Sequence, residues 1–297
     1  MNSKRLPGKV LAPIIGRPMI CHQLKRIQQS KFASNLVVAT TLERSDDQLS
    51  DTLTQENYQV FRGSHLDVLD RYYSAAKQYS AEHIVRITAD CPLIDSSIID
   101  MIIEDHLAND SDYTSNTLTP TFPDGQDVEV FTFQALEKAW KRAKYRSERE
   151  HVTLYIKNNL ELFAHRNIES TSDLSHHRWT VDENVDLEFV KLIFSHFGQE
   201  YASSFSMEDV LKFLQSNPEI MELNQTIARD EGLAKSLAED DRPREKLISK
   251  EEASKIANKY DGVCDNSIIR EYCRYVDIEE NFFWENVNKF TNPELFK

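Results

Sequence analysis

The sequence has 297 residues, of which 40% are hydrophobic and 28% are charged, which is the composition of a soluble globular protein. Its formal net charge of −14 argues against general binding of nucleic acid, which usually needs a basic surface. No run approaches the roughly 20 apolar residues of a membrane span, and the polar N-terminus is not a signal peptide. The four cysteines fit neither a disulfide framework nor zinc spacing, so we expect a cytoplasmic protein without membrane insertion.

Short apolar runs alternate with amphipathic stretches from about residue 18 to about residue 230. In the first part of the chain this pattern predicts helices at 18–31, 45–53 and 65–80 and strands at 35–40, 58–63 and 83–88. We expect Ser45 to cap the second of these helices. Alternation of strands and helices is typical of crossover connections, and it predicts an α/β fold with a mainly parallel sheet.

The middle of the chain departs from this alternation. The Pro-rich stretch 117–125 precedes the alternating apolar residues of DVEVFTF (127–133), a pattern that predicts an insertion or an antiparallel hairpin over the site. Further on, WTV (179–181) is a predicted strand and 183–194 a predicted helix. The stretch SEREHV predicts a helix start with a capping box formed by Ser147 and Glu150.

The composition changes near residue 228, where a dense mixture of charges begins. We therefore predict an α/β domain over 1–240 and a small helical C-terminal extension over 241–297. The extension is too short for a secure core of its own, so we expect it to dock on the main domain or on a partner.

Two aspartates follow predicted buried strands at the points where these strands end. Asp90 lies in RITADCPLID and Asp182 lies in RWTVDE. Carboxylates at the carboxyl ends of strands in one sheet are well placed to hold Mg²⁺ against phosphates. Each also has a structural alternative, since Asp90 could cap a turn and Asp182 could be the N-cap of the next helix.

The opening stretch MNSKRLPGK combines a hydroxyl, three cations and a Pro-Gly turn. Arg5 can bind phosphate oxygens with two donors, and Lys9 can act as a mobile point charge. Ser3 and the backbone amides near Gly8 would add neutral donors. The alternative is that this basic stretch is only a solvated tail.

Several motifs occur in an order that resembles the cytidylyltransferase family, namely SKRLPGKVL, GRPM, VVATT, VFRGSHLDVLDRYY, VRITADCPLID, DVEVF, SEREHVT and RWTVDE. The resemblance extends over about residues 1–240. The broader group includes the enzymes that make CMP-sialic acid and CMP-KDO. Family members begin with a strand before the basic loop, and we expect this central strand to be lacking here.

The resemblance implies a three-layer, Rossmann-like nucleotidyltransferase fold and a homodimer. It also implies a reaction in which a hydroxyl of an acidic or modified sugar attacks the α-phosphate of CTP and pyrophosphate leaves. The residues that match the triphosphate motif are Ser3, Arg5 and Lys9, with Arg5 and Lys9 also assisting catalysis. Asp90 and Asp182 match the Mg²⁺ ligands, Arg62 and Asp67 the contacts to base and ribose, and Asp127, Glu129, Glu150 and His151 the sugar side.

Two other functions stay open at this point. A glycosyltransferase of similar fold would need a DxD-type metal motif, and the sequence offers only SDD at 45–47, DSD at 110–112 and EDD at 239–241. An inactive chain that binds nucleotide as a scaffold partner is the other possibility. Asp67, Asp70 and Arg71 could make only helix-surface pairs, and His151 could be structural.

Overall fold

A computed structural model describes residues 5–33, 35–227, 229 and 231–240. Ser3, the boundary near 241 and the predicted C-terminal extension lie outside the described residues. Within the described part of the chain, no helix is both long enough and apolar enough to cross a membrane.

The described helices alternate with strands along the first half of the chain and dominate the second half. They are α1 (Met19–Ile27), α2 (Asp47–Gln55), α3 (Val68–Gln78), α4 (Ser96–Ala108), α5 (Phe133–Arg142), α6 (Arg146–Glu150), α7 (Leu154–Asn158), α8 (Asn184–Tyr201), α9 (Met207–Ser216), α10 (Pro218–Met221) and α11 (Glu231–Asp240). Short 3₁₀ helices span Lys9–Leu11, Arg44–Asp46 and Leu160–Leu162.

The strands form three sheets in the part of the chain that is described. They are β1 (Pro13–Ile14), β2 (Arg17–Pro18), β3 (Val37–Thr41), β4 (Gln59–Gly63), β5 (His83–Arg86), β6 (Tyr113–Ser115), β7 (Glu129–Thr132) and β8 (His165–Asn167). β1 pairs with β2, β3 with β4, and the remaining strands have the order β5–β7–β6–β8. The expected lack of a central strand stays a prediction.

The predicted α/β class is confirmed, with a mixture of strand directions. β3 and β4 are parallel, as are β6 and β8. β7 is antiparallel to both β5 and β6, so the sheets are mixed where the sequence pattern predicted a mainly parallel one. DVEVFTF thus contributes an antiparallel strand, as one alternative predicted, but this strand lies inside a sheet and not over the site.

Local capping differs from the sequence prediction at two helices. The N-cap residue of α2 is Asp46 and not Ser45. The carboxylate of Asp46 accepts hydrogen bonds from the hydroxyls of Thr40 and Thr41. At α6 the side chain of Glu148 accepts from the backbone amide of Tyr145. The predicted capping box of Ser147 and Glu150 is therefore wrong.

The segment 178–181 is extended but is not a strand, which corrects the prediction for WTV. It is held by a close approach to the loop at Gly125, where Trp179 N donates to Asp124 O at 2.6 Å. Gly125 has φ 109°, and a Cβ there would lie 2.8 Å from the carbonyl carbon of Trp179. Only glycine fits this position, because both the conformation and the space exclude a side chain.

Apolar side chains of α8 pack in the same core as the segment 178–181. Trp179 and Val181 are fully buried against Phe189, Val190 and Ile193 of α8. Burial of such side chains contributes roughly 1.5–3 kcal/mol each. The core therefore fixes the backbone that leads directly into Asp182.

A buried arginine ties α1 to the loop that follows β5. Arg26 is 2% exposed, and its guanidinium lies 3.9 Å from the centre of the Phe205 ring. Burial lowers the pKa of Arg26 to about 10. It donates to four backbone carbonyls, those of Leu93, Ile94, Ala202 and Phe205. These bonds fix the chain just after Asp90.

Replacing Arg26 by alanine is expected to lower the free energy of unfolding by about 3 kcal/mol or more, because buried carbonyls lose their charged donor. Urea unfolding of the purified variant measures this change. Arg142→Ala, at an exposed position in α5, is the matched control and should stay within about 0.5 kcal/mol of the native protein. Equal stability of the two variants would contradict the structural role of Arg26.

Candidate active site

A cavity of about 400 Å³ contains most of the residues predicted to carry the chemistry. Its charged lining residues are Arg5, Arg86, Asp90, Asp124, Asp127, Glu129, Lys157, Arg178, Asp182, Arg229 and Glu231, and His151 also lines it. A more open groove of about 620 Å³, next to α9 and α10, contains none of the predicted site residues. The chemistry-bearing side chains therefore favour the smaller, polar cavity as the functional site.

Asp90 and Asp182 are brought together by a backbone hydrogen bond between their segments. Val181 N donates to Asp90 O at 2.8 Å, so the two aspartates lie on adjacent stretches of chain. Asp182 is not the N-cap of α8, since that position is Glu183. The predicted convergence of the two carboxylates is present in the structure.

Lys9 lies between the two aspartates. Its Nζ donates to Asp90 Oδ2 at 2.9 Å, to Asp182 Oδ1 at 2.8 Å and to Val181 O at 2.8 Å. The side chain is 12% exposed. Burial opposes its charge, but the carboxylates of Asp90 and Asp182 outweigh this effect and raise the pKa of Lys9. Lys9 is therefore a charged group at the centre of the site.

The contact with Lys9 also affects the pKa of Asp90. Burial disfavours its charge, but the ammonium of Lys9 and the hydroxyl of Thr88 favour it, and the net result is a lowered pKa of Asp90. Asp90 is thus ionised at neutral pH, as a ligand for a cation must be.

The backbone before Lys9 explains how this side chain reaches the site. Gly8 adopts the left-handed conformation with φ 72° and ψ 12° and starts the 3₁₀ helix Lys9–Leu11. Glycine takes this conformation without strain. Arg5 and Lys9 both bind acidic side chains of the site, so this part of the basic stretch is not a solvated tail.

Arg5 lies at the rim of the cavity and is bound by three acidic side chains. Its guanidinium nitrogens lie 2.8 Å from Asp182 Oδ2, 3.4 Å from Glu183 Oε1 and 2.6 Å from Glu231 Oε2. A planar guanidinium offers several donors at once, which suits both carboxylates and phosphates.

The orientation of Asp182 depends on Asp186, one turn further into α8. Asp186 Oδ2 accepts from the backbone amides of Asp182 and Glu183, both at 2.9 Å. Arg178 binds Asp186 with two parallel hydrogen bonds of 3.0 Å and lies 3.6 Å from Asp182 Oδ2. Because Asp186 and Arg178 are both buried, the turn at Asp182 is rigidly held.

Glu129 forms the centre of a buried ion-pair network on another wall. Its carboxylate binds Arg86 and Lys157, and it accepts hydrogen bonds from Tyr113 and Thr153. Burial disfavours the charge of Glu129, but Lys157 and Arg86 more than compensate, so its pKa is lowered. Glu129 is 2% exposed, so the structure shows it supporting the wall of the cavity.

Asp127 lines the same cavity, but its pKa is shifted in the opposite direction from that of Glu129. Asp127 Oδ1 accepts from Arg229 Nη2 at 2.7 Å, and the side chain is 32% exposed. Burial of the carboxyl group raises its pKa although Arg229 opposes this effect. Among the four residues predicted for the sugar side, Asp127 has the accessible carboxylate in this cavity.

Two predicted nucleotide contacts lie elsewhere. The guanidinium of Arg62 binds the carbonyls of Thr41 and Glu43 at 2.8 and 2.9 Å and does not line the cavity. Asp67 is 1% exposed, because it is the N-cap of α3 and the partner of Arg149. A contact of Asp67 with a nucleotide stays a prediction, and it would require the carboxylate to leave its buried pair with Arg149.

Glu150 and His151 contact α11. Ser236 Oγ lies 3.0 Å from His151 Nε2 and 3.2 Å from Glu150 Oε2. These contacts hold α11 against α6 beside the cavity. A role of Glu150 and His151 toward a sugar stays a prediction.

Sequence reasoning missed Arg86, Arg178, Arg229 and Glu231. Arg86 faces Glu129 across the antiparallel pair of β5 and β7, a register that the sequence alone does not fix. Arg178 stands four residues before Asp182 in RWTVD, a spacing that could have suggested a partner. Arg229 and Glu231 come from the densely charged stretch that begins near residue 228, and only the tertiary fold places them at the cavity.

The oxygen atoms around Lys9 Nζ are suitable ligands for a hard divalent cation. Asp90 Oδ2, Asp182 Oδ1 and Val181 O all lie within 2.9 Å of one point. Mg²⁺ binds through one or two carboxylates and completes its shell with water and phosphate oxygens. In the described residues no group of three or more His, Cys, Asp or Glu side chains could hold a metal ion. Two carboxylates with additional oxygens from outside the protein are a donor set that Mg²⁺ accepts, and its binding here stays a prediction.

Comparison with known proteins agrees with this geometry. A family profile described as cytidylyltransferase matches residues 1–231. The chain therefore belongs to the cytidylyltransferase family, and the predicted nucleotidyltransferase class is confirmed.

Two relatives are similar over most of their length. The chain is 39% identical over 228 residues to an uncharacterized protein of Methanocaldococcus jannaschii, an alignment that covers 76% of this chain and 91% of the relative. It is 31% identical over 231 residues to the spore coat polysaccharide biosynthesis protein SpsF of Bacillus subtilis, covering 74% and 92%. The predicted resemblance to the family that includes SpsF is confirmed.

A solved structure has the same fold. A cytidylyltransferase from Leptospira borgpetersenii serovar Hardjo-bovis matches with a TM-score of 0.72 and 38% identity. The match covers 77% of this chain and 95% of that one. The predicted Rossmann-like nucleotidyltransferase fold is confirmed.

Replacing Glu129 by glutamine is expected to cost about 3–5 kcal/mol of stability at pH 7, because Arg86 and Lys157 lose their buried partner. The lowered pKa of Glu129 means that its stabilisation is present above the unfolded pKa of about 4.3 and is lost as the pH falls below it. The difference in stability between the native protein and the variant should therefore shrink as the pH falls below about 5.

Urea unfolding at a series of pH values between neutral and acidic measures this difference. The matched control is Glu161→Gln, at an exposed glutamate, which should follow the native protein at each pH. A stability difference for Glu129→Gln that does not change with pH would contradict the assignment.

Proposed function

We propose that this protein transfers CMP from CTP to a hydroxyl group of an acidic or modified sugar and releases pyrophosphate. The observation that carries the proposal is the convergence of Asp90 and Asp182 on one cation position, with Arg5 at the rim of the same cavity. Family membership supports the reaction type, and the name of the SpsF relative supports a role in polysaccharide synthesis.

Charge neutralisation is the main demand of this reaction, because the triphosphate and the departing pyrophosphate carry several negative charges. Arg5 would bind phosphate oxygens through its fork of donors, and Lys9 would follow the departing group as a flexible point charge. Both cations already lie at the cavity, so little rearrangement of the backbone is required. Ser3 is proposed as a neutral donor from the same loop.

Asp90 and Asp182 would hold Mg²⁺. When bound, this ion stabilises the charge that develops on the transferring phosphate, an effect worth several kcal/mol. The protein's own contribution is to orient the ligands: Asp186 and Arg178 fix Asp182, and the hydrogen bond from Val181 N fixes Asp90 beside it.

The part of the cavity lined by Asp127, Lys157 and Arg229 is the proposed sugar side. Asp127 offers an accessible carboxylate that could accept a hydrogen bond from a sugar hydroxyl. Arg229 and Lys157 supply positive charge on the same wall, which suits the carboxylate of an acidic sugar. The resemblance to enzymes that make CMP-sialic acid and CMP-KDO favours the same class of acceptor.

No specific contact favours the glycosyltransferase alternative. In the SDD run, Asp46 is bound to the hydroxyls of Thr40 and Thr41, and in the DSD run Asp112 accepts from the amide of Ala164. Neither residue lines the cavity. Asp90 and Asp182, which do line it, lie in motifs that resemble those of the cytidylyltransferase family.

The direct test is release of pyrophosphate from each of the four nucleoside triphosphates with a panel of acidic sugars. Release with CTP and one class of sugar, together with a CMP-sugar product, is the expected result. Binding of CTP without any release would favour the scaffold alternative. Release of CMP or UDP from a nucleotide-sugar would favour a glycosyltransferase.

A homodimer is part of the proposal and rests on the family resemblance alone. Light scattering coupled to size-exclusion chromatography measures the molar mass in solution. A mass of twice the 34.5 kDa chain is expected, and a monomer at micromolar concentration would contradict the dimer.

Asp90→Asn and Asp182→Asn should each lower kcat by roughly a thousandfold, because each removes a charged ligand and its several kcal/mol of charge stabilisation. The measurement is pyrophosphate release at saturating CTP, Mg²⁺ and sugar. Asp173→Asn is the matched control, since Asp173 is exposed, accepts hydrogen bonds from Ser175 and does not line the cavity. Turnover of Asp90→Asn at the native rate would refute the metal assignment.

Glu231→Gln should tighten CTP binding about two- to fivefold, because Glu231 competes with the triphosphate for Arg5 and an exposed ion pair is worth up to about 1 kcal/mol. Isothermal titration calorimetry with CTP gives the dissociation constants. Glu239→Gln is the control on the same helix, since Glu239 pairs with Arg146 outside the cavity. Equal affinity of all three proteins would show that Glu231 does not compete.

A further inference from the structure

Lys9 occupies the position at which the two proposed metal ligands meet. We infer that Lys9 is an internal counter-ion that excludes a divalent cation from Asp90 and Asp182 until a nucleotide draws the lysine away. The inference rests on the proposed function for the identity of the metal ligands, and it goes further by making metal binding depend on nucleotide binding.

The hydrogen bonds of Lys9 are saturated in this position. An ammonium group has three N–H donors, and the three acceptors at 2.8–2.9 Å are Asp90 Oδ2, Asp182 Oδ1 and Val181 O. Asp90 and Asp182 come from separate segments, and the carbonyl of Val181 completes the set. The site is therefore a complete cradle for one compact cation.

Charge balance indicates that two cations cannot share this cradle. A divalent ion bound to the same carboxylate oxygens would lie within a few ångströms of the Lys9 ammonium. In a partly buried site such repulsion is only weakly screened by solvent. Arg5 and Arg178 also lie close to Asp182, which leaves still less negative charge for a second cation.

A nucleotide provides the means to move Lys9. The triphosphate carries negative charge that can accept the ammonium, and the lysine stem is flexible enough to swing without a change of backbone. Removal of Lys9 from the cradle frees both aspartates at the moment when phosphate oxygens arrive. A divalent cation and CTP should therefore bind together, and the cation alone should bind weakly.

A purely structural role of Lys9 gives a different expectation. If Lys9 only neutralises the aspartates to stabilise the fold, removing its charge destabilises the protein without creating a site for cations. If Lys9 is a counter-ion in a metal cradle, removing its charge leaves a cradle that a divalent ion can fill. Ligand binding to the native state then raises the melting temperature of the variant.

The test measures binding of Mn²⁺ alone, without nucleotide or sugar, by electron paramagnetic resonance and calorimetry. Lys9→Met should bind Mn²⁺ at least about tenfold more tightly than the native protein. Mn²⁺ should also raise the melting temperature of this variant more than that of the native protein. Lys157→Met, which removes another cation of the same cavity, is the matched control and should not gain affinity.

Two more variants keep the test decisive. The double variant Lys9→Met with Asp90→Asn should lose the gained affinity, which locates the ion at Asp90. Lys9→Gln retains two N–H donors for the carboxylates and serves if Lys9→Met does not fold. A folded Lys9 variant without any gain in Mn²⁺ affinity, or a native protein that binds Mn²⁺ equally tightly, would overturn the inference.

Failure of this inference is distinguishable from failure of the proposed function. The Mn²⁺ measurement involves no turnover, so a gain in affinity together with no pyrophosphate release would refute the reaction and leave the role of Lys9 standing. Pyrophosphate release by the native protein without a gain in Lys9→Met would refute only the role of Lys9.

Discussion

The contact of Lys9 with Asp90 and Asp182 is the interaction on which the rest of the site depends. It joins three parts of the chain that are distant in sequence, namely the N-terminal loop, the turn after β5 and the segment before α8. Unpaired, two neighbouring carboxylates in a partly buried cavity would repel each other. One cation therefore favours the ionised form of Asp90 and also fixes the position of the basic loop.

The surrounding structure holds these charges in place with little freedom. Apolar side chains of α8 fix the segment 179–181, the close approach at Gly125 aligns it with the neighbouring loop, and Arg178 with Asp186 fixes the turn at Asp182. Rigid support of this kind keeps charged groups oriented before a substrate arrives, which is how electrostatic stabilisation becomes effective. By contrast, Arg5 lies in ion pairs at the rim of the cavity, where a substrate can exchange with it.

The fold class, helices α1, α2, α3 and α8 and the central charged residues could be predicted from the sequence, because hydrophobic periodicity and the polar residues at strand ends are local signals. Asp90, Asp182, Arg5 and Lys9 all line or contact one cavity as expected. The position of β7 inside the sheet and the partners of Asp67, Glu129 and Glu231 could not be predicted, because they depend on tertiary pairing. A buried aspartate cap and a substrate-binding aspartate have the same local sequence pattern.

The most direct measurement is a crystal structure with CTP and Mn²⁺, with the metal located by its anomalous scattering. The expected result is a peak between Asp90 and Asp182, with the Lys9 ammonium moved onto the phosphates. A Lys9 that still lies between the two aspartates, with the metal bound only to the nucleotide, would contradict the assignment of these carboxylates as metal ligands and the exchange that it requires.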